Sequence, residues 1–447
     1  MNPEGLTNSI EKIKLMNKRN ILLTAYLLLH TTYSFSQTPA KPQQKLIVLL
    51  NGTAHIGNGT VIQKSAIGFE NGEILFVSDA KDYTRQIGDD VTDINGKQVY
   101  PGFIAPSTNL GLVEIEAVRA TRDFEDVGSI NPHVRAEISY NTDSKIIPTI
   151  RTNGVLLAQV APRGGLISGT SSVFTLDGWN WEDAVHKTDD GIFVNWPAHY
   201  SAGGWWGEPE PMKKNEEYEK RIAVLEKFFA DAKAYSQNGQ TELDIRMEAM
   251  KGVFSGEKRL FINATLSKDI IEAVYFAKNF AVPHLVIVGA KDASLVTDVL
   301  KNKNVAVVLD RVHDLPSSPD SDIDLPFKTP KLLQDAGVLF CLSYMGGMET
   351  AGMRNLPFTA GTAVAYGLTK EQALSAITFN TSKILGIDAT VGTLEGGKDA
   401  TLFVSSGDAL DMRTNNVEMA FIKGRKLDLD NHQKQLYRKF RNKYKGK

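Results

Sequence analysis

Arg163-Gly164-Gly165, followed by Ser168-Gly-Thr-Ser-Ser172, is the residue group best suited to hold an anion. The glycines let backbone N–H groups come close to it, and the Arg163 guanidinium offers a bidentate fork. The same string also serves as a structural turn, the commoner use of paired glycines. All five tryptophans, Trp179, Trp181, Trp196, Trp205 and Trp206, fall between residues 179 and 206. Their faces can stack on a sugar, an aromatic ring or a cation, in which case Trp205 and Trp206, beside Gly203-Gly204 and Pro209-Glu-Pro211, belong to an irregular lid. They can equally form a satellite core beneath a long loop.

Metal chemistry needs ligands at suitable spacing. Outside His30 and His432 the chain has His55, His133, His186, His199, His284 and His313, and no two stand at H-x-H or H-x-x-x-H spacing. Either spacing would place two imidazoles on one face of a strand or helix. His199, His313 and Glu349 are loop candidates for a ligand, although a hydrogen-bonded or surface role is the expected one for each. Cys341, the only cysteine, lies in the apolar run Val338–Leu342, so burial is expected and no intramolecular disulfide can form. The stretch Glu114, Glu116, Arg119, Arg122, Asp123, Glu125 and Asp126 is expected to pair its charges internally.

These residues must be positioned by regular elements. Short strand-like runs, Leu46–Leu50, Ser65–Glu70 and Glu73–Val77, occupy the region before Val99, with Asn71-Gly72 suited to a tight hairpin turn. After Gly102 the pattern changes to apolar strands alternating with helices. Arg259–Asn263, Leu285–Val288, Val305–Leu309 and Val338–Leu342 read as strands, and the segments between them as helices. Ser267 is expected to cap the first of these helices, and Ala293–Leu300 to form the second. Thr369-Lys-Glu-Gln372 is a capping box. β character returns at Val391–Val404 and Val417–Lys423. The repetition predicts a (β/α)8 barrel over residues 101–387, with a small β-sandwich assembled from residues 44–100 and 388–428. Residues 429–447 read as a basic terminal helix or tail, a solvated face rather than a membrane or partner contact.

Of the 447 residues, 42% are apolar and 23% charged, which describes an ordinary folded chain. Lys12, Lys14, Lys18 and Arg19 precede the apolar run Ile21–Leu29 and Ser34-Phe-Ser36, the order of a secretory signal peptide over residues 1–36, with Met16 as an alternative start. Removing that segment takes away four basic and two acidic groups, moving the formal charge from -2 to -4. So mild a balance gives no reason to expect nucleic acid as a partner. The expected product is an exported, most plainly periplasmic, protein that is not transmembrane.

Val99-Tyr-Pro-Gly-Phe-Ile-Ala-Pro-Ser-Thr-Asn109 resembles the V-x-P-G-F-I-D-x-H-x-H strand of the amidohydrolase superfamily. A second stretch, Ala373–Val404, is similar to that family's A-L-x-x-x-T-x-N-x-A-x-x-L-G and V-G-x-L-E-x-G-K-x-A-D-L ending, departing at Thr401 where Asp is usual. The resemblance covers roughly residues 44–428 and is strongest to the imidazolonepropionase-like branch. It implies a barrel whose mouth hydrolyses non-peptide carbon–nitrogen bonds of cyclic or small amides with zinc or another divalent metal.

The resemblance also implies where ligands should stand. Ser107 and Asn109 occupy the first histidine pair, and Ala105 the preceding acid. Asn263 stands where a strand-ending histidine belongs, Val288 where another is often found, and Leu342–Gly346 holds no acid at the place of a metal-binding aspartate. The expectation is therefore an amidohydrolase-like chain with no cofactor and impaired standard catalysis. The alternative is a non-catalytic ligand-binding protein or the partner subunit of an active amidohydrolase; a small-molecule ligand, and a homo-oligomer or pairing with a related amidohydrolase, are the partners expected.

Overall fold

A computed structural model describes residues 38–205, 208–237, 242–318, 320–344 and 349–445. The expected signal segment, Trp206 and Met345-Gly346 lie outside the described residues. The chain divides into two units, residues 1–38 and 39–447, and every element below belongs to the second.

One eight-stranded sheet is assembled from both ends of the chain. β1 (Ile47–His55), β2 (Val61–Glu70), β3 (Glu73–Asp79), β4 (Asp90–Asp93) and β5 (Gln98–Pro101) come first, and β16 (Leu402–Ser405), β17 (Val417–Ile422) and β18 (Arg425–Lys426) come last. β16 pairs antiparallel with β5, joining the two groups. Between β2 and β3, Asn71 and Gly72 take φ of 52° and 87°, the left-handed pair that a two-residue turn of this twist requires. The sheet has its own core of Leu49, Ile67, Phe69, Val404 and Phe421, with Phe69 edge-on to Phe421 at 5.0 Å. Each such side chain contributes about 1.5–3 kcal/mol on burial.

The second sheet is an almost closed barrel. Its strands are β6 (Phe103–Thr108), β7 (Val155–Val160), β8 (Ile167–Thr175), β9 (Val185–Asn195), β12 (Arg259–Ala264), β13 (Leu285–Gly289), β14 (Ala306–Leu309) and β15 (Phe340–Leu342), adjacent in that order. Closure runs through Ala376 and Ile377, whose carbonyls accept the Leu342 and Ile104 N–H groups at 3.0 Å each. Ser343 Oγ also donates to the Pro106 carbonyl at 2.9 Å. The expected all-parallel order is interrupted once, because β8 runs antiparallel to both β7 and β9. The reason is connection length. Residues 161–166 between β7 and β8 make a tight turn, whereas a parallel crossover needs about a dozen residues or more.

Several local expectations are corrected. The helix Ser267–Asn279 begins at Ser267 without a side-chain cap, and its first N–H is taken by Asp292 Oδ2 at 3.0 Å, a carboxylate far along the chain. The expected helix Ala293–Leu300 is split into a 3₁₀ turn, Ala293–Leu295, and a helix, Thr297–Asn302. The segment expected as an irregular lid is a two-stranded hairpin, β10 (Tyr200–Trp205) with β11 (Glu208–Lys214). Nor do the described tryptophans form one cluster. Trp181 starts a short helix just before β9, whereas Trp196 follows its end. A strand of that length separates them by roughly 35 Å at about 3.3 Å per residue. Trp179 is exposed, and Trp196 is buried edge-on to Phe276 at 5.2 Å. The capping box at Thr369 and Gln372 is present as expected.

Candidate functional site

The C-terminal ends of the parallel barrel strands gather a set of neutral polar groups. At the end of β6, Ser107 is fully buried with φ of 53°, a left-handed value that a non-glycine residue rarely adopts. Two side chains hold its backbone. Its N–H donates to Gln159 Oε1 at 3.0 Å, and its carbonyl accepts from Arg163 Nη2 at 3.1 Å. The Ser107 hydroxyl itself is buried without a hydrogen-bond partner.

Gln159 is fixed in turn by a buried acid. Its Nε2 donates to Asp190 Oδ2 at 2.7 Å, and Ser171 Oγ donates to Asp190 Oδ1 at 2.6 Å. Burial pushes the Asp190 carboxyl above the usual carboxylate range, against the hydrogen bonds from Ser171 and Gln159 and the attraction of Lys187 and Arg259. The strain at Ser107 is thus maintained by a chain reaching from the mouth to the barrel interior.

Asn109, two residues on, is buried, and its Oδ1 accepts the Thr350 hydroxyl at 2.6 Å. Across the barrel, one register row contains Asn195, Asn263, Val288 and Val308, each paired with the next. Residues paired in a parallel ladder share one face of the sheet. Asn195 Nδ2 donates to the carbonyls of Gly164 and Gly165 at 3.1 and 2.9 Å, which fixes its amide orientation because a carbonyl can only accept. Asn195 Oδ1 is therefore the acceptor for Asn263 Nδ2 at 2.7 Å, and Asn263 Oδ1 is left buried without a partner.

The loop after β7 serves this arrangement. Gly164 and Gly165 have φ of 80° and 62°, and a Cβ on either would meet Glu125 Oε1 at 2.6 Å or the Ser129 carbonyl at 2.9 Å. The glycines make room for the protein's own chain, with a carboxylate beside Gly164.

A residue that sequence reading missed is Asp310, directly after β14. Its N–H donates to the Gly289 carbonyl at 3.1 Å, carrying the ladder one step beyond the strand and placing Asp310 on the face of Val308. It borders a pocket also lined by Lys291, Arg311, Asp314, Ser317 and Thr329. Burial pushes its carboxyl up to about 6, against the Arg311 N–H and the nearby Lys291 and Arg311 charges. The available signal was an acid immediately following an apolar strand, at the barrel end where barrel enzymes carry chemistry.

The other candidates fall elsewhere. His199 Nδ1 lies 2.6 Å from Asp269 Oδ1 and Nε2 3.3 Å from Glu272 Oε1, while its ring stacks on Tyr218 at 3.8 Å. Both ring nitrogens are engaged at the root of the hairpin. His313 Nε2 meets Thr362 Oγ1 at 2.6 Å. Glu349 opens the short helix Glu349–Gly352, Trp205 ends β10, and Trp206 is outside the described residues. Cys341 is buried, and that burial pushes its thiol up.

Comparison with known proteins agrees with this architecture. Residues 269–427 match the model of the amidohydrolase family. The matched segment includes Val288 and Asp310 and leaves Ser107, Asn109, Asn195 and Asn263 outside it. An amidohydrolase structure from Thermotoga maritima superposes with a TM-score of 0.74 at 23% identity, covering 86% of this chain and 99% of that one. A putative prolidase from Bifidobacterium longum gives 0.52 at 16% identity, over 86% of this chain and 95% of its own. An adenosine deaminase from Xanthomonas campestris, with bound zinc, gives 0.50 at 14% identity, over 92% of this chain and 100% of its own. No curated protein sequence matches the chain. The fold is that of the amidohydrolases.

Amidohydrolase chemistry raises the question of a divalent metal. At the four positions taken from the resemblance, Val288 has no donor atom, and Asn109 Oδ1 is occupied by Thr350. The unpartnered oxygens of Ser107 and Asn263 are neutral. Zinc is held by imidazole, thiolate or carboxylate, so this donor set does not fit it. Among the described residues no group of three or more His, Cys, Asp or Glu is placed to hold a metal ion.

Proposed function

We propose that this protein is an exported amidohydrolase-fold protein whose barrel mouth binds a small amide-type molecule, with standard metal-dependent hydrolysis impaired. The observation that carries the reading is the pair of unpartnered buried oxygens, Ser107 Oγ and Asn263 Oδ1, at positions where the family resemblance expects imidazoles. Asn263 Oδ1 can only accept, so it selects a ligand with an N–H or O–H donor, and Ser107 Oγ can donate to a carbonyl. An amide group offers both. Leaving either oxygen unmatched costs about 1–3 kcal/mol, and a ligand that satisfies it recovers that amount.

Export rests on the basic, apolar and small-residue order of residues 12–36. Among the described residues no helix is long and apolar enough to cross a membrane. Arg163, Gly164 and Gly165 support the site by holding Ser107 and Asn195. The hairpin whose first strand ends at Trp205 is proposed as its cover. If so, Trp205→Ala with Trp206→Ala abolishes the fluorescence change on ligand addition.

A second reading is favoured by Asp310. A carboxyl pushed up to about 6 can exchange a proton near neutral pH, so hydrolysis assisted by this acid, without a metal, is compatible with the same mouth. One experiment separates the readings. Protein purified without chelator is analysed for metal and screened against cyclic amides and dipeptides. Saturable binding with sub-stoichiometric zinc and no turnover supports the binding reading, and chelator-insensitive turnover abolished by Asp310→Asn supports the second. Stoichiometric zinc at the mouth, or turnover lost to chelator, overturns both.

A further inference from the structure

The C-terminal helix His432–Lys445 has no buried residue. Leu436, Tyr437, Phe440 and Tyr444 are 37%, 63%, 47% and 60% exposed. At 3.6 residues per turn these four positions fall within a sector of about 100°, a single apolar and aromatic stripe. The same helix carries Lys434, Arg438, Lys439, Arg441, Lys443 and Lys445 and no acidic residue.

Its root is fastened to the body and its far end is not. Thr149 Oγ1 donates to Gln433 Oε1 at 2.8 Å, and Arg438 Nη2 reaches Asp430 Oδ2 at 2.6 Å. Among the described residues, no side-chain hydrogen bond or ion pair joins residues 439–445 to the rest of the chain.

We propose that this helix docks the protein on an anionic lipid surface. It would lie flat, with the Leu436, Tyr437, Phe440 and Tyr444 stripe at the headgroup boundary. Charge complementarity commits the occupant: six cations without an acid repel a basic partner and match a layer of anionic headgroups. The stripe is mostly aromatic, the composition that sits at a bilayer boundary. Lys439 and Lys443 border the stripe, where their stems can run along it and their ammonium groups reach outward to lipid phosphates. A helix of this length extends about 21 Å, short of the roughly 30 Å hydrocarbon core, so it lies on the surface and does not span.

The full-length mature chain is tested by co-sedimentation with vesicles. Vesicles of phosphatidylcholine with about 30% phosphatidylglycerol should bind at least tenfold more tightly than pure phosphatidylcholine, and about 0.5 M salt should largely remove the difference. Phe440→Gln with Tyr444→Gln should weaken binding to the anionic vesicles at least tenfold, as should Lys439→Glu with Lys443→Glu. Circular dichroism and the melting temperature should stay unchanged, since the helix buries nothing. Equal binding to neutral and anionic vesicles, absence of binding to either, or binding indifferent to both substituted pairs overturns the proposal.

Discussion

Asn263 Nδ2 donates to Asn195 Oδ1 at 2.7 Å, and this amide pair joins two neighbouring barrel strands at the mouth. Its direction is imposed from outside the pair, by the carbonyls of Gly164 and Gly165 that Asn195 must satisfy. Replacing Asn195 with Ala removes one amide and leaves two carbonyls and Asn263 Nδ2 without it. We expect a loss of about 1–3 kcal/mol, read as a lowered denaturant midpoint with an unchanged m-value. No change in midpoint would show that the amide chain is not what orders this end of the barrel.

Ser107 separates stability from binding. Its hydroxyl is buried and unpartnered, so Ser107→Ala should be neutral or stabilising by up to about 1 kcal/mol while weakening ligand binding. Ser107→Gly should also tolerate the φ of 53°, whereas Ser107→Val places a β-branched residue there and should destabilise by about 2 kcal/mol or more. Calorimetry of the three variants, with ligand titration on each, tests the ordering.

Asp310 predicts a definite pH dependence. Its carboxyl is raised by burial to about 6, so the folded state holds a proton that the unfolded chain has released from about pH 4 upward. The stability associated with that proton is present below the unfolded value and lost as pH rises through about 6. Asp310→Asn should therefore flatten the stability profile between pH 4 and 6 and raise stability above it. A wild-type profile identical to that of the variant over this range would remove Asp310 as a titrating group.

His55 shows the opposite balance between burial and partners. Burial opposes its protonation, but Glu371 at 2.7 Å and Gln98 at 2.9 Å outweigh it and hold the imidazole above its usual value. The pair ties β1 to the helix Lys370–Ser375. Its contribution is present below about pH 6.5 and is lost as pH rises through the raised folded value. Glu371→Gln should lower the melting temperature at pH 6 more than at pH 9.

Much of the framework was legible in the amino-acid order because it is governed by local physics. Asn71-Gly72 reads as a hairpin turn since few other residues take two successive positive φ values, and Thr369 with Gln372 reads as a cap since the partners are three residues apart. The Pro101-Gly-Phe-Ile104 entry and the returning β segments identify the barrel and its companion sheet. Ser267 shows the limit of local reasoning, because a distant carboxylate, Asp292, took the role assigned to the serine hydroxyl.

Tertiary structure alone decided what the mouth does with these residues. The strain at Ser107 depends on Gln159 and Arg163, and Asn263 owes its buried, unpartnered acceptor to an amide on β9 and two carbonyls beyond it. Asp310 is one acid among 52 Asp and Glu until its surroundings bury it. The sequence by itself determined most of the elements and the neutrality of the residues at the four expected ligand positions. Which donors are satisfied, strained or titratable depends on groups far apart along the chain, and only their packing supplies the desolvation and hydrogen bonds that settle it.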